Sequence, residues 1–486
     1  MVVNSINFLI FFSVVFVGYY FVLSGKRMAQ NSLLLLASYF FYGFAEWKML
    51  PLLIIATVVF FFLGITIAKY NSSSVKKAST FTTLGVILGI GLLLYFKYLN
   101  FFIQSFSDFF NALGLQTHWG LLSIVMPLGI SFFTFKLIAY VIEIYRGRIQ
   151  PSRNFVDFAV YIAFFPTILS GPIDRPNTLL EQLSRGRVFD YDLALIGLKR
   201  IFWGMFMKMC VADRLAIYGD AIFNNADQHN GTSLAFATLL YPIQLYADFA
   251  GYSEMAIGVG ALLGLKITEN FKRPFFSQNI AEYWRKWHIS LTGWLTDYVF
   301  MPLNIYFRNI EKWGSIFAII ITFVLIGFWH GADWKFALFG LYHGLLYIPL
   351  MLSGAFFKKN KMKKTKSGLP TFNVITKMFG TFLLVAFGLI LFRTTGLDQT
   401  ILVTQKIFTS WGSLFVDSKT LINGLLCMTI LLFKDVRDEF FPIKLEKGRQ
   451  QSFVKRNGYE LTVSAYIILI LFFGVFDGGQ FIYFKF

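Results

Sequence analysis

Apolar residues run along this chain in long blocks, not in alternation. Blocks of mainly apolar residues recur at roughly 6–24, 31–45, 49–68, 81–97, 119–142, 155–170, 193–216, 233–265, 315–330, 334–353, 377–393, 419–433 and 460–476. A helix crosses a bilayer with about 20 such residues. The period-2 pattern of a membrane β-barrel strand is absent, and only helices or closed barrels satisfy the backbone in hydrocarbon. The pattern predicts an all-α polytopic membrane protein with about eleven crossings. The shorter blocks become re-entrant or interfacial helices, and 233–265 reads as one bent helix or two. The first block has no basic residue before it and no small-residue cleavage site, so it reads as a retained helix and not a signal peptide. The organisation expected is a single membrane-embedded domain over 1–486, with polar or basic excursions at 354–372 and 434–459 and its chemistry concentrated in 266–353.

One part of that core region differs from the apolar blocks. In "SQNIAEYWRKWHISLTGWLTDYVFMPLN", a single helix over 280–298 puts Trp284, Trp287, His288, Leu291, Trp294 and Leu295 on one stripe. Glu282, Arg285, Lys286 and Thr292 take the other side. The prediction is an amphipathic helix at the membrane interface, anchored by tryptophans, with a histidine on its apolar face.

Composition supports the membrane reading. The 486 residues are 56% hydrophobic and 14% charged, with mean hydropathy +0.61; a soluble protein carries about 25% charged residues. The net charge of +18 matters through its placement. Lys26 and Arg27, then Lys69, Lys76 and Lys77, then Arg146, Arg148 and Arg153 follow odd-numbered blocks. The positive-inside rule therefore puts the N-terminus outside the cell and "KKNKMKKTK" (358–366) in the cytoplasm. Cations divided among loops fit contact with anionic membrane lipid and not a nucleic-acid surface. Cys210 and Cys427 are the only cysteines, which excludes a disulfide framework or a cysteine zinc site.

Candidate chemistry rests on histidine. His118 opens an apolar run and His229 lies in a polar loop, where neither needs a function. His288, His330 and His343 lie inside or beside apolar segments, where ionisable groups line cavities or serve function. On one uninterrupted helix His330 and His343 would sit about 220° apart. Gly331 and the polar "GADW" predict a break after His330 that turns both rings toward one cavity. Asp333 either caps the following helix or orients a histidine. There is no Walker A loop, G-x-S-x-G elbow, H-E-x-x-H or Cys-x-x-Cys, and no metal-ligand spacing.

The segments "YWRKWHIS…WLTDYVFMPL" and "GFWHGADWKFALFGLYHG" resemble the membrane-bound O-acyltransferase family, in its bacterial alginate O-acetylation, AlgI-like branch. "SYFFYGFAEWKML", "MPLGISFFTFKLIAYVIEIYRG", "FFPTILSGPIDRP", "IQLYADFAGYSEMAIGVGALLGLKITENFKRPF" and the terminal "FIYFKF" extend the resemblance over nearly the whole chain. It departs after "MPL", where "NIYFRNIEKWG" replaces an expected glycine-rich basic loop.

The resemblance implies a multi-helix bundle around a through-membrane cavity, with a catalytic histidine at His330 and a second functional position at His288. It also implies transfer of acetyl from a cytosolic donor, acetyl-CoA, to a cell-surface polysaccharide through an extracytoplasmic partner with an SGNH-hydrolase-like domain. No bound cofactor is expected, and the location implied is the bacterial inner membrane. His330 then acts as the base toward an attacking hydroxyl or as a transient acyl acceptor. His288 orients substrate or assists proton transfer, with Trp287 and Trp329 walling the site and Asp333 and His343 in support. Arg285 and Lys286 meet the phosphates of coenzyme A or anchor in lipid, and Gly327 and Gly331 admit substrate to the backbone. Two other readings stand: DltB-like D-alanyl transfer to teichoic acid from a carrier protein, and a transporter with a histidine proton relay.

Overall fold

The computed structural model describes residues 3–117, 119–357, 362–441, 453–476 and 481. His118, residues 358–361 of the basic run, 442–452 of the second polar excursion, and 482–486 of the terminal "FIYFKF" lie outside them. Among the described residues the fold is all-helical, with one isolated bridge between Lys364 and Pro370 in place of any strand. Among the described residues, five helical segments are long and apolar enough to cross a membrane: Arg27–Asn71, Val75–Ala112, Arg308–His330, Trp334–Leu352 and Phe372–Arg393. Ile6–Val22 and Glu460–Phe473 are shorter apolar helices.

Several blocks expected to cross do not form such segments, for local reasons. In 119–142 the helix begins only at Ile130, after Gly129 in the left-handed region at φ 70°. In 155–170 the helix stops at Ala163, and the following turns through Pro172 are buried non-helical backbone. The block 193–216 is interrupted by a π-helical stretch, Phe206–Ala212, carrying the buried Lys208. By contrast, 233–265 forms one helix, Gly231–Leu262, with Pro242 inside it.

Contacts along the backbone group the chain into two compact units: Met1–Gly197 with Ala256–Thr268, and Leu198–Met255 with Glu269–Phe486. In the first, Phe8, Phe41 and Phe165 form an aromatic cluster, with ring centroids 5.9–6.2 Å apart. The helices Leu50–Asn71 and Val75–Leu93 both pack on Ile130–Tyr145. Its buried Asp157 is held by Arg27 and Asn31. Burying such a carboxylate without partners costs several kcal/mol.

The second unit contains a helical hairpin, Glu311–His330 followed by Trp334–Leu345. Two glycines let its backbones touch. A Cβ on Gly327 would lie 2.0 Å from the Phe336 carbonyl oxygen, and one on Gly340 would lie 2.1 Å from that of Phe323. Small residues at such crossings are the usual means of close packing in membranes. These contacts correct the expectation that Gly327 and Gly331 admit substrate. Gly327 is filled by backbone, and a Cβ on Gly331 would strike the Phe336 ring at 2.2 Å. Gly327→Val is therefore expected to destabilise the detergent-solubilised protein by about 1–3 kcal/mol or more. A thermal melt checks this: a melting temperature equal to that of the unsubstituted protein contradicts the close approach.

Candidate active site

The segment expected as one helix over 280–298 is broken in the middle. Ile280–Lys286 is helical, Trp287 is extended, and His288 adopts the left-handed conformation at φ 46°, ψ 52° before Ile289–Leu295 resumes. The break has a cause distant in sequence. The stretch 270–272 inserts there, with Ile289 N–H donating to the Asn270 carbonyl at 2.9 Å and Lys272 N–H to that of Lys286 at 2.9 Å. Backbone groups released by the break thus find partners, as buried groups must. The stripe itself holds: Trp284, Trp287, His288, Leu291, Trp294 and Leu295 are all buried. They are buried among protein side chains, which corrects the expectation that the tryptophans anchor in the membrane interface. A non-glycine residue at positive φ is a strained position that its surroundings must enforce, and such positions cluster at functional sites.

Asn270 fixes His288 further. The Asn270 side-chain oxygen accepts from Ser290 N–H at 3.2 Å and from the Ser290 hydroxyl at 2.9 Å, and it lies 3.1 Å from His288 Nδ1. Its amide nitrogen donates to the Ser253 hydroxyl at 3.2 Å. A backbone N–H can only donate, so the atom it meets is the amide oxygen. His288 Nδ1 therefore carries its proton toward Asn270, and Nε2 keeps the lone pair. Burial pushes the His288 imidazole down to about 3, so the ring is neutral at ordinary pH. Phe249 meets it edge-on at 4.6 Å and Trp329 at 5.5 Å.

Trp329 also stands 5.0 Å from His330, so one indole contacts both rings. His330 is the last residue of its helix and is followed by extended Gly331. Asp333 caps the next helix, accepting from Lys335 N–H at 2.9 Å. Of the two readings of Asp333, the structure gives the cap. The reversal brings His330 and His343 to one enclosed cavity of about 10 Å³, the lower limit for a single water molecule. Trp284, Trp287, Phe339 and Phe392 also line it, and none of its lining residues is acidic. The Trp284 indole donates to His343 Nδ1 at 3.3 Å.

Lys286 and Arg285 do not share this setting. The Lys286 ammonium is held by Glu282 at 3.1 Å, Glu439 at 3.2 Å and the Phe276 carbonyl at 3.3 Å. It is engaged in an ion-pair network with Arg273, whose guanidinium meets Glu439 at 2.7 Å. Arg285 is exposed, and its Nε donates to the Ala281 carbonyl at 3.0 Å. Reading the sequence alone misses Asn270 as part of the site. "ENFKRPFF" gives no local signal that its asparagine meets a histidine eighteen residues on.

Residues 150–392 match the model of the MBOAT, membrane-bound O-acyltransferase family. The chain is 37% identical over 397 residues to the protein named "Probable alginate O-acetylase AlgI" of Pseudomonas syringae, covering 82% of this chain and 73% of that one. The chain belongs to the membrane-bound O-acyltransferase family. It is also 33% identical to "Peptidoglycan O-acetyltransferase" of Helicobacter pylori, over 75% of this chain and 73% of that protein. The "Teichoic acid D-alanyltransferase" of Bacillus subtilis is 34% identical over 57% of this chain and 71% of its own length. As a member of the family the protein is an acyltransferase and a multi-pass membrane protein.

Proposed function

We propose that the protein takes an acetyl group from acetyl-CoA on the cytoplasmic side of the bacterial inner membrane and passes it across for O-acetylation of an extracytoplasmic polysaccharide. An SGNH-hydrolase-like protein outside the membrane completes the transfer, and the N-terminus faces outward. The observation that carries the reading is the cavity shared by His330 and His343, small, aromatic-walled and without an acidic residue. Two relatives with O-acetyl chemistry in their names match across three quarters or more of the chain.

In this reading His330 is the base. It takes the proton of the attacking hydroxyl as the oxygen bonds to the acyl carbon. The carbon–sulfur bond of the thioester breaks, and the proton passes to the leaving thiolate. His288 presents its Nε2 lone pair to a substrate hydroxyl or assists the proton, held in that tautomer by Asn270. Trp287 and Trp329 keep water from the rings. A membrane-embedded domain spanning the whole chain houses the path.

D-alanyl transfer is favoured by the teichoic acid relatives, which match a smaller share of the chain. A D-alanyl group carries an ammonium, and the cavity offers it no carboxylate. Purified protein in vesicles is expected to release free coenzyme A from acetyl-CoA when a hydroxyl acceptor is added, and to form an acetyl ester. Transfer of D-alanine from a charged carrier protein, with no turnover of acetyl-CoA, overturns the proposal.

A further inference from the structure

His343 is 1% exposed, and its ring is fixed from one side. The Trp284 indole N–H lies 3.3 Å from His343 Nδ1. An indole N–H donates and never accepts, so Nδ1 is the acceptor of the neutral ring and Nε2 carries the proton. That is the opposite tautomer to the one Asn270 imposes on His288. Nε2 is buried and has no hydrogen-bond partner within the protein, an arrangement that costs about 1–3 kcal/mol when nothing is gained from it. It points toward Gly388 on the helix Phe372–Arg393, where a Cβ would come within 3.0 Å of Nε2. Only a glycine fits there, since the same Cβ would also meet the Tyr342 ring at 2.7 and 2.8 Å. Val385, Leu389 and Phe392, on the same face of that helix as Gly388, line the cavity that His330 and His343 share. At about 10 Å³ the space has room for one oxygen atom.

We infer that His343 Nε2–H is a hydrogen-bond donor to the acyl carbonyl oxygen while His330 acts on the attacking group. The inference deepens the functional reading above and rests on it. As the hydroxyl oxygen bonds to the acyl carbon, the carbonyl π bond opens and negative charge gathers on that oxygen. A donor already aimed there stabilises the charge without rearranging. The charge returns to the carbonyl as the carbon–sulfur bond breaks, and the His343 proton stays on Nε2 throughout. Trp284 is a positioning residue: it acts by holding the tautomer.

Removing one such donor lowers kcat by about 10²–10³-fold. His343→Leu is expected to lose that factor in kcat, with KM for the acyl donor changing less than about threefold, since the contact forms mainly in the transition state. His343→Gln, whose amide N–H reaches the Nε2 position, is expected to recover at least about tenfold of the loss. A loss of activity matched by a lower melting temperature and not relieved by Gln overturns the inference, as does full activity in His343→Leu. A second measurement is independent of the acyl donor. In protein carrying ¹⁵N-histidine, the imidazole shifts, assigned by comparison with His343→Gln, are expected to show a proton on Nε2. They are expected to show mixed tautomers in Trp284→Phe. A proton on Nδ1 of wild-type His343 overturns the inference even where acetyl transfer is confirmed. Failure of the wild-type protein to transfer acetyl overturns the functional reading instead.

Discussion

His330→Gln is expected to reduce acyl transfer by about 10²–10⁴-fold, the range a positioned general base contributes. The substitution keeps a polar side chain of similar length at the helix end but removes the nitrogen that takes up a proton. Loss of the fold is not the expected cause. His330 ends its helix beside an extended glycine, and the reversal is secured by the Asp333 cap and by the Gly327–Phe336 and Gly340–Phe323 backbone approaches. The variant should therefore reach the membrane and melt near the wild-type temperature. A His330→Gln protein with more than about a tenth of wild-type turnover contradicts the role given to the ring.

The second large effect is expected at Asn270. Asn270→Leu removes the oxygen that holds the His288 Nδ1 proton and that accepts from the Ser290 N–H and hydroxyl. Each hydrogen bond lost costs about 0.5–1.5 kcal/mol, so this variant is also expected to melt lower. What separates positioning from stability is a double-mutant cycle. If Asn270 acts through the His288 tautomer, Asn270→Leu loses about 10²-fold in kcat, and His288→Gln with Asn270→Leu loses no more than His288→Gln alone. Losses that multiply in the double variant count against the dyad. Asn270→Asp, which keeps an acceptor at the same place, is expected to retain more activity than Asn270→Leu.

The residues that sequence reading placed well are those governed by local rules. The break after His330 is written in Gly331 and in the capping Asp333, both adjacent to the feature they cause. The stripe from Trp284 to Leu295 follows from spacing alone and holds even though the helix is not continuous, but it packs on protein side chains in place of lipid. What the sequence conceals is set by partners distant in the chain. The strained turn at His288 exists because 270–272 packs into it, and no residue near position 288 announces that insertion. Gly327 and Gly331 look like room for substrate until Phe336 is seen to fill both. Lys286 reads from sequence as a phosphate contact or a lipid anchor, and its ion pair with Glu439, far along the chain, has no local signal. Apolar blocks are also more numerous than the five segments that are long and apolar enough to cross among the described residues. Apolar blocks such as 155–170 are buried within protein and need not span lipid to be hidden from water.

The most direct test of the central claim is chemical analysis of ester-linked groups released by mild base from the surface polysaccharide of cells expressing the protein. The account predicts acetate that is present with the wild-type chain and absent with His330→Gln at equal membrane abundance. Release of D-alanine in place of acetate, or acetate unchanged by His330→Gln, would contradict it.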